Sequence, residues 1–211
     1  MTIDHRLPSR LNAIIDYDVA ARFGWTVPAL AEAYLEGGAR FLQVRAKHAT
    51  SAEYLSLCEE VVARARASGA SVIVNDRADI ARLSGAAGVH VGQDDLPVPA
   101  VRAIVGVSAM VGFSTHSEDQ VREAEGMPID YVAIGPIFGT ATKETGYSAL
   151  GLDVLRRVTT AKPVVAIGGI TLDRVKSVMD AGAASVAVIS DLLVTGSPRA
   201  RVQEYLRALD I

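Results

Sequence analysis

Several short stretches of this sequence gather the side chains that handle phosphate groups and divalent cations. In Phe41-Leu42-Gln43-Val44-Arg45-Ala46-Lys47 the polar residues fall at every second position, so an extended chain presents Gln43, Arg45 and Lys47 on one face. Two cations turned toward an interior require an anion there; at an exposed strand end the same heads reach water along their apolar stems. Val74-Asn75-Asp76 and Gly92-Gln93-Asp94-Asp95 each follow an apolar run with carboxylates. At the tops of adjacent strands, such carboxylates suit Mg²⁺, which takes one or two of them together with water and phosphate oxygens. The competing readings are local: Asp76 pairs with Arg77 or another neighbour, and Asp94 or Asp95 caps a helix that starts near Pro97.

Further along, Gly112-Phe113-Ser114-Thr115-His116 ends another apolar run, and Gly135 to Lys143 carries Thr140, Thr142 and Lys143 beside a glycine. Hydroxyls and a cation around flexible backbone suit an oxyanion, and equally suit a polar surface loop. His116 precedes a helix-opening Ser117 and reads as a structural histidine, with a general-base role as the alternative. His90 lies inside an apolar run and reads as wall. The pair Gly168-Gly169 follows Val164 to Ile167, and Ile189-Ser190 follows another run; glycines there let backbone amides approach a phosphate.

The elements that must position these groups are eight short β-rich runs, read as Leu11 to Asp16, Phe41 to Ala46, Ser71 to Asp76, Gly88 to Gly92, Met110 to Thr115, Tyr131 to Pro136, Val164 to Gly169 and Ser185 to Ser190. Between them lie stretches of helical spacing, such as Leu55, Cys58, Val61, Val62 and Ala65. Ser117 and Thr171 open helices, while Gly69, Gly126 and Gly182 fall near helix ends where a left-handed residue is useful. The runs are continuously apolar rather than alternating, so both strand faces are buried, as in a parallel sheet wrapped by helices. Eight β-then-α units predict an α/β fold, a single-domain (β/α)₈ TIM barrel, with residues 1–10 an extended N-terminal segment. In that fold chemistry sits at the carboxyl ends of the strands, where the candidate phosphate- and cation-handling groups fall, and the loops after strands 7 and 8 commonly hold a phosphate.

Composition narrows the partners. The 211 residues are 50% hydrophobic, and 21 Lys plus Arg stand against 24 Asp plus Glu, a net charge of -3. That balance leaves no basic footprint for nucleic acid or anionic membrane, so small-molecule partners are expected. The single cysteine, Cys58, excludes an intrachain disulfide and a multi-cysteine zinc site, and reads as a small core residue of a reducing compartment. No signal-peptide pattern and no apolar run of membrane-spanning length is present, so a cytoplasmic protein is expected. Monomer and homo-oligomer both remain open.

Taken as an ordered set, Gln43-Val44-Arg45-Ala46-Lys47, Val74-Asn75-Asp76-Arg77, Gly88-Val89-His90-Val91-Gly92-Gln93-Asp94-Asp95, Gly135-Pro136-Ile137-Phe138 through Thr140-Ala141-Thr142-Lys143, and Ala166-Ile167-Gly168-Gly169-Ile170 resemble the thiamine-phosphate synthase family, over about Leu11 to Leu209. The resemblance implies the joining of an aminopyrimidine methyl diphosphate to a thiazole phosphate, with release of diphosphate and Mg²⁺ as cofactor. It implies Asp76 and Asp95 as metal ligands. Gln43, Arg45, Lys47, Asn75, Ser114 and Lys143 would surround the pyrimidine diphosphate, with Arg45, Lys47, Ser114 and Lys143 catalytic. Thr140, Thr142, Gly169, Ile189 and Ser190 would receive the thiazole phosphate.

Such a reaction is dissociative: the leaving diphosphate gathers negative charge, the aminopyrimidine delocalises the cation left behind, and no nucleophilic side chain is needed. Three features depart from the pattern: the first strand ends Ile15-Asp16-Tyr17-Asp18, Gly139 stands where proline is common, and Asp191 follows Ser190 where a small apolar residue is commoner. An acidic group facing a phosphate would repel it, so Asp191 is expected to point away or to cap the last helix. The rival functions are the related thiazole tautomerase, with His116 as base, and a non-catalytic thiazole-phosphate-binding barrel. The segment 139–149, bracketed by glycines, is expected to act as a lid.

Overall fold

A computed structural model describes residues 7–139 and 148–210 of the chain. Eight parallel strands close in sequence order into a barrel: β1 Leu11–Asp16, β2 Phe41–Arg45, β3 Ser71–Asn75, β4 Gly88–Val91, β5 Met110–Thr115, β6 Tyr131–Ile134, β7 Val164–Ile167 and β8 Ser185–Val188. The helices are α1 Tyr17–Arg22, α2 Val27–Glu36, α3 Ser51–Ser68, α4 Ala78–Ser84, α5 Val98–Val105, α6 Glu118–Ala124, α7 Leu152–Arg157, α8 Val175–Asp180 and α9 Pro198–Ala208. Two of them follow β1, and short 3₁₀ turns, Leu172–Arg174 and Ser190–Leu192, precede α8 and α9. Of the expected N-terminal segment, residues 7–10 lead into β1 outside any strand.

The register sorts side chains into two cores. Residues paired across neighbouring strands share a face, and the row Asn75, His90, Gly112, Tyr131 runs continuously across β3 to β6. Ile14, Phe41, Ile73, Tyr131, Ala133, Val165 and Ala187 form the barrel interior. Their sequence neighbours, such as Ile15, Leu42, Val74 and Val132, pack outward against the helices in the larger core. Phe41 meets Tyr131 edge to face at 6.0 Å, an aromatic pair that adds about 1 kcal/mol beyond area burial. Gln43, Arg45, Asn75 and Ser114 share the inward face, which places them above this interior core at the barrel mouth.

Most strands stop short of the apolar runs that encode them. Ala46, Asp76, Gly92, Gly135, Gly168 and Ile189 lie just past the last ladder residue, where the backbone turns. Asp76 has φ 64 and Gly168 φ 98, conformations no strand accommodates. Ser117 caps α6, accepting from the Gln120 N–H at 3.2 Å, whereas Thr171 opens a 3₁₀ turn without a side-chain cap bond. Gly69 and Gly182 take positive φ as expected; Gly126 does not, and α6 ends on right-handed Glu125. Among the described residues no helix is long and apolar enough to cross a membrane.

Candidate active site

The cationic strand end is organised by an acid from its neighbour. β1 and β2 pair Asp16 with Arg45, and the Arg45 guanidinium donates to the Asp16 carboxylate. Asp16 also caps α1, its other oxygen accepting from the Val19 N–H at 3.0 Å, so one buried carboxylate fixes a helix start and aims a guanidinium. The anion expected opposite Arg45 is therefore supplied in part by the chain itself. Gln43 is buried one inward step below.

Next to it stands an acidic pair. Lys47 Nζ lies 3.2 Å from Asp76 Oδ2, so Asp76 pairs with Lys47 while Arg77 turns to Asp79. Asp95 does not cap a helix: α5 begins after Pro97 without a side-chain cap, and Asp95 Oδ2 accepts from the Gly92 N–H at 2.7 Å. That bond folds the β4 loop back on itself and brings the second carboxylate to the first. Burial and the adjacent Asp95 carboxylate hold the Asp76 pKa above the ordinary carboxylate range, with Lys47 pulling it down. Asp76 is further held in the left-handed region by its N–H, which donates to the His90 carbonyl at 2.7 Å. A half-buried carboxylate whose charge is made costlier by a second one beside it is what a hard cation relieves, and Mg²⁺ needs no more from the protein than one or two carboxylates. Among the described residues no cluster of three or more His, Cys, Asp or Glu forms an all-protein metal cage.

Tyr54, absent from the sequence reading, holds this wall together. Its hydroxyl donates toward the carbonyls of Val44 (2.8 Å) and Asn75 (3.0 Å) and lies 3.1 Å from the Asn75 N–H, so α3 clips β2 to β3 directly beneath Lys47 and Asp76. Its signal was present in the helical period, since Tyr54, Cys58, Val61 and Ala65 form the buried stripe while Leu55 is only partly buried. A cleft of about 280 Å³ opens here between Lys47, Tyr54, Asn75, Asp76 and Arg77.

On the opposite side, β7 and β8 build a second cleft of about 190 Å³, lined by Gly168 to Thr171 and Ala187 to Asp191. Gly169 has φ 62, and a Cβ there would fall 2.5 Å from the Gly139 carbonyl oxygen, so the β6 loop and the glycine turn approach as only glycine allows. Arg174 donates to the Gly169 carbonyl at 2.9 Å and lies 4.6 Å above the Phe138 ring, pinning the turn from outside. Gly169, Ile189 and Ser190 thus converge on one concave corner.

Asp191 lines the same cleft, which the sequence did not anticipate, yet its charge is committed elsewhere. Its Oδ2 accepts from Arg201 Nη2 (2.7 Å), Tyr205 Oη (2.6 Å) and the Leu172 N–H (3.3 Å). The contact is with side chains of α9, not a backbone cap of that helix, whose N-cap is Ser197. One carboxylate therefore joins the β7 loop, the β8 loop and α9.

Ser114 stands at the mouth of β5 with its Oγ 2.8 Å from His90 Nε2, and its carbonyl accepts from Gln93 at 2.7 Å. His90 is buried, as expected of a wall residue. His116 Nδ1 lies 2.6 Å from the Gly135 carbonyl and its N–H donates to Gln120, the structural arrangement expected for it. Thr140, Thr142 and Lys143, and with them most of the expected 139–149 lid, lie outside the described residues.

In an eight-stranded barrel β3 and β4 stand half a turn from β7 and β8, so the acidic pair and the glycine corner face each other across the mouth. Comparison with known proteins identifies the family that shares this barrel. The family model for thiamine monophosphate synthase matches residues 12–192. A thiamine-phosphate synthase of Koribacter versatilis is 46% identical over 211 residues, covering 97% of each chain, and one of Chlorobium luteolum is 40% identical over 83% of this chain and 84% of its own. A solved thiamine phosphate pyrophosphorylase from Pyrococcus furiosus superposes with a TM-score of 0.85 at 29% identity, covering 97% of this chain and 98% of that one. The matching family model and these relatives show that the chain belongs to the thiamine monophosphate synthase family.

Proposed function

We propose that this chain condenses an aminopyrimidine methyl diphosphate with a thiazole phosphate to give thiamine phosphate and diphosphate, acting on these small phosphorylated substrates in the cytoplasm. The observation that supports the reading is that two different clefts face each other across one barrel mouth: Asp76 and Asp95 beside Lys47 on one side, and the Gly169, Ile189 and Ser190 corner on the other. The acidic pair takes a diphosphate only through a cation, and Asp76 with Asp95 would hold Mg²⁺. When bound, Mg²⁺ neutralises charge on the leaving diphosphate.

The remaining work belongs to side chains. Arg45, oriented by Asp16, and Lys47 present fixed positive charge to the diphosphate as the C–O bond lengthens, joined by Lys143. Gln43, Asn75 and Ser114 orient the pyrimidine from the inward face of β2, β3 and β5. Gly169, Ile189 and Ser190, together with Thr140 and Thr142, hold the thiazole phosphate so that its ring nitrogen meets the pyrimidine methylene carbon. The pyrimidine delocalises the developing cation, so no covalent intermediate with the protein forms. Asp76→Ala tests the division of labour: thiamine phosphate formation is lost while thiazole phosphate still binds. Turnover that survives in Asp76→Ala contradicts the metal reading, and thiazole phosphate binding without turnover in the unsubstituted protein favours the non-catalytic barrel.

A further inference from the structure

Tyr131, His90 and Ser114 form a hydrogen-bonded line from the centre of the barrel to its mouth. Tyr131 is fully buried, and its Oη lies 3.0 Å from His90 Nδ1. His90 Nε2 lies 2.8 Å from Ser114 Oγ, and Ser114 is partly exposed. The His90 and Tyr131 rings stack at 5.5 Å between centroids, inclined by 26°. His90, Gly112 and Tyr131 occupy one inward row of β4, β5 and β6. Gly112 is what leaves them room: a Cβ there would fall 2.1 Å from Tyr131 Cζ and 2.5 Å from His90 Nδ1.

The protons in this line are determined by its buried end. A phenol O–H sealed from water goes to an acceptor, and among the described residues the one hydrogen-bonded to Tyr131 Oη is His90 Nδ1. Burial pushes the Tyr131 phenol far above its ordinary pKa, so the group stays a donor. An imidazole accepting at Nδ1 carries its hydrogen on Nε2 when neutral, and donates it to Ser114 Oγ. With its oxygen accepting from the imidazole, the Ser114 hydroxyl turns its own hydrogen away from His90, toward the mouth. We infer that Tyr131 and His90 are positioning residues that fix Ser114 as a hydrogen-bond donor to the pyrimidine diphosphate. This rests on the reading above that Ser114 faces that substrate.

The test has a spectroscopic arm and a kinetic arm, both on the full chain. Long-range ¹H–¹⁵N spectra of protein labelled in histidine, taken at about pH 8, above the ordinary histidine range, report which ring nitrogen of His90 carries hydrogen. His90→Gln assigns the signal. The expected result is the Nε2–H tautomer. Tyr131→Phe, which removes only the donor, loses that single tautomer and lowers kcat by about tenfold, the effect of one misdirected hydrogen bond, while KM for thiazole phosphate is unchanged. An Nδ1–H or doubly protonated His90 in the unsubstituted protein overturns the inference, as does Tyr131→Phe with full kcat. Full turnover in Ser114→Ala with the Nε2–H tautomer intact overturns it through its premise, the role given to Ser114, and is thereby told apart from a failure of the proton line.

Discussion

Replacing Asp191 by alanine removes a carboxylate oxygen that accepts from Arg201, Tyr205 and the Leu172 N–H at once. The Asp191 and Arg201 side chains are 12% and 15% exposed, so the pair is nearly out of water. After the substitution Arg201 keeps Glu204 at 2.8 Å and the backbone carbonyl of residue 191 at 3.2 Å, and among the described residues the Tyr205 hydroxyl keeps the Ile170 carbonyl at 3.5 Å. Breaking a fully buried pair costs about 3–5 kcal/mol, and hydrogen bonds to charged groups contribute about 1.5–3 kcal/mol each. With Glu204 still present, the expected loss is at the lower end, about 3 kcal/mol, which for a chain of this size lowers Tm by roughly 6–12 °C. Asp191→Asn keeps an acceptor for Tyr205 and Leu172 and loses about half as much. Because the same oxygen ties the β7 loop to the β8 loop, KM for thiazole phosphate rises several-fold in both variants while KM for the pyrimidine diphosphate stays put. Thermal melts with steady-state kinetics in each substrate check this. An Asp191→Ala protein that melts within about 1 °C of the parent and keeps its KM for thiazole phosphate refutes the reasoning.

Other expectations follow from the same geometry. The Asp76 pKa is raised on folding, so its ionised form costs stability at neutral pH and that cost fades as pH falls through the raised value; in metal-free protein, Asp76→Asn gains Tm at neutral pH, and melts in an acid series show the gain shrink. A pH-independent gap leaves only the preference of asparagine for positive φ. Cys58 is buried on α3 with its thiol pushed up to about 12, so maleimide labels it only on unfolding and Cys58→Ser keeps full activity. Labelling of the native protein at the rate of a free thiol contradicts that placement.

The barrel was legible because burial on both faces leaves each strand a continuous apolar run, and eight such runs with helical spacers admit few other topologies. The ladders end one or two residues before the apolar runs do, since Ala46, Gly92 and Ile189 continue the apolar composition after the pairing has stopped. The residue types of the site were legible too, and Gln43 and Arg45 do face inward as their period predicts. Their partners were not. Asp16 meets Arg45 only through strand register, Asp95 meets Asp76 only because its own loop folds onto Gly92, and Tyr54 reaches two strands from a helix between them. Asp191 shows the same limit from the other side: its sequence neighbours suggest repulsion of a phosphate, while the side chain that neutralises it, Arg201, lies in the next helix, α9. Periodicity reports which face a residue occupies; it carries no information about which charge waits on the neighbouring strand.

The most direct test incubates the purified protein with the aminopyrimidine methyl diphosphate, thiazole phosphate and Mg²⁺, with and without chelator, and detects thiamine phosphate by oxidation to fluorescent thiochrome. The account predicts a signal that needs both substrates, disappears with chelator and returns when Mg²⁺ is restored in excess. A folded protein that gives no product, or product formation indifferent to chelator, contradicts the central claim that Asp76 and Asp95 carry a diphosphate through a metal ion.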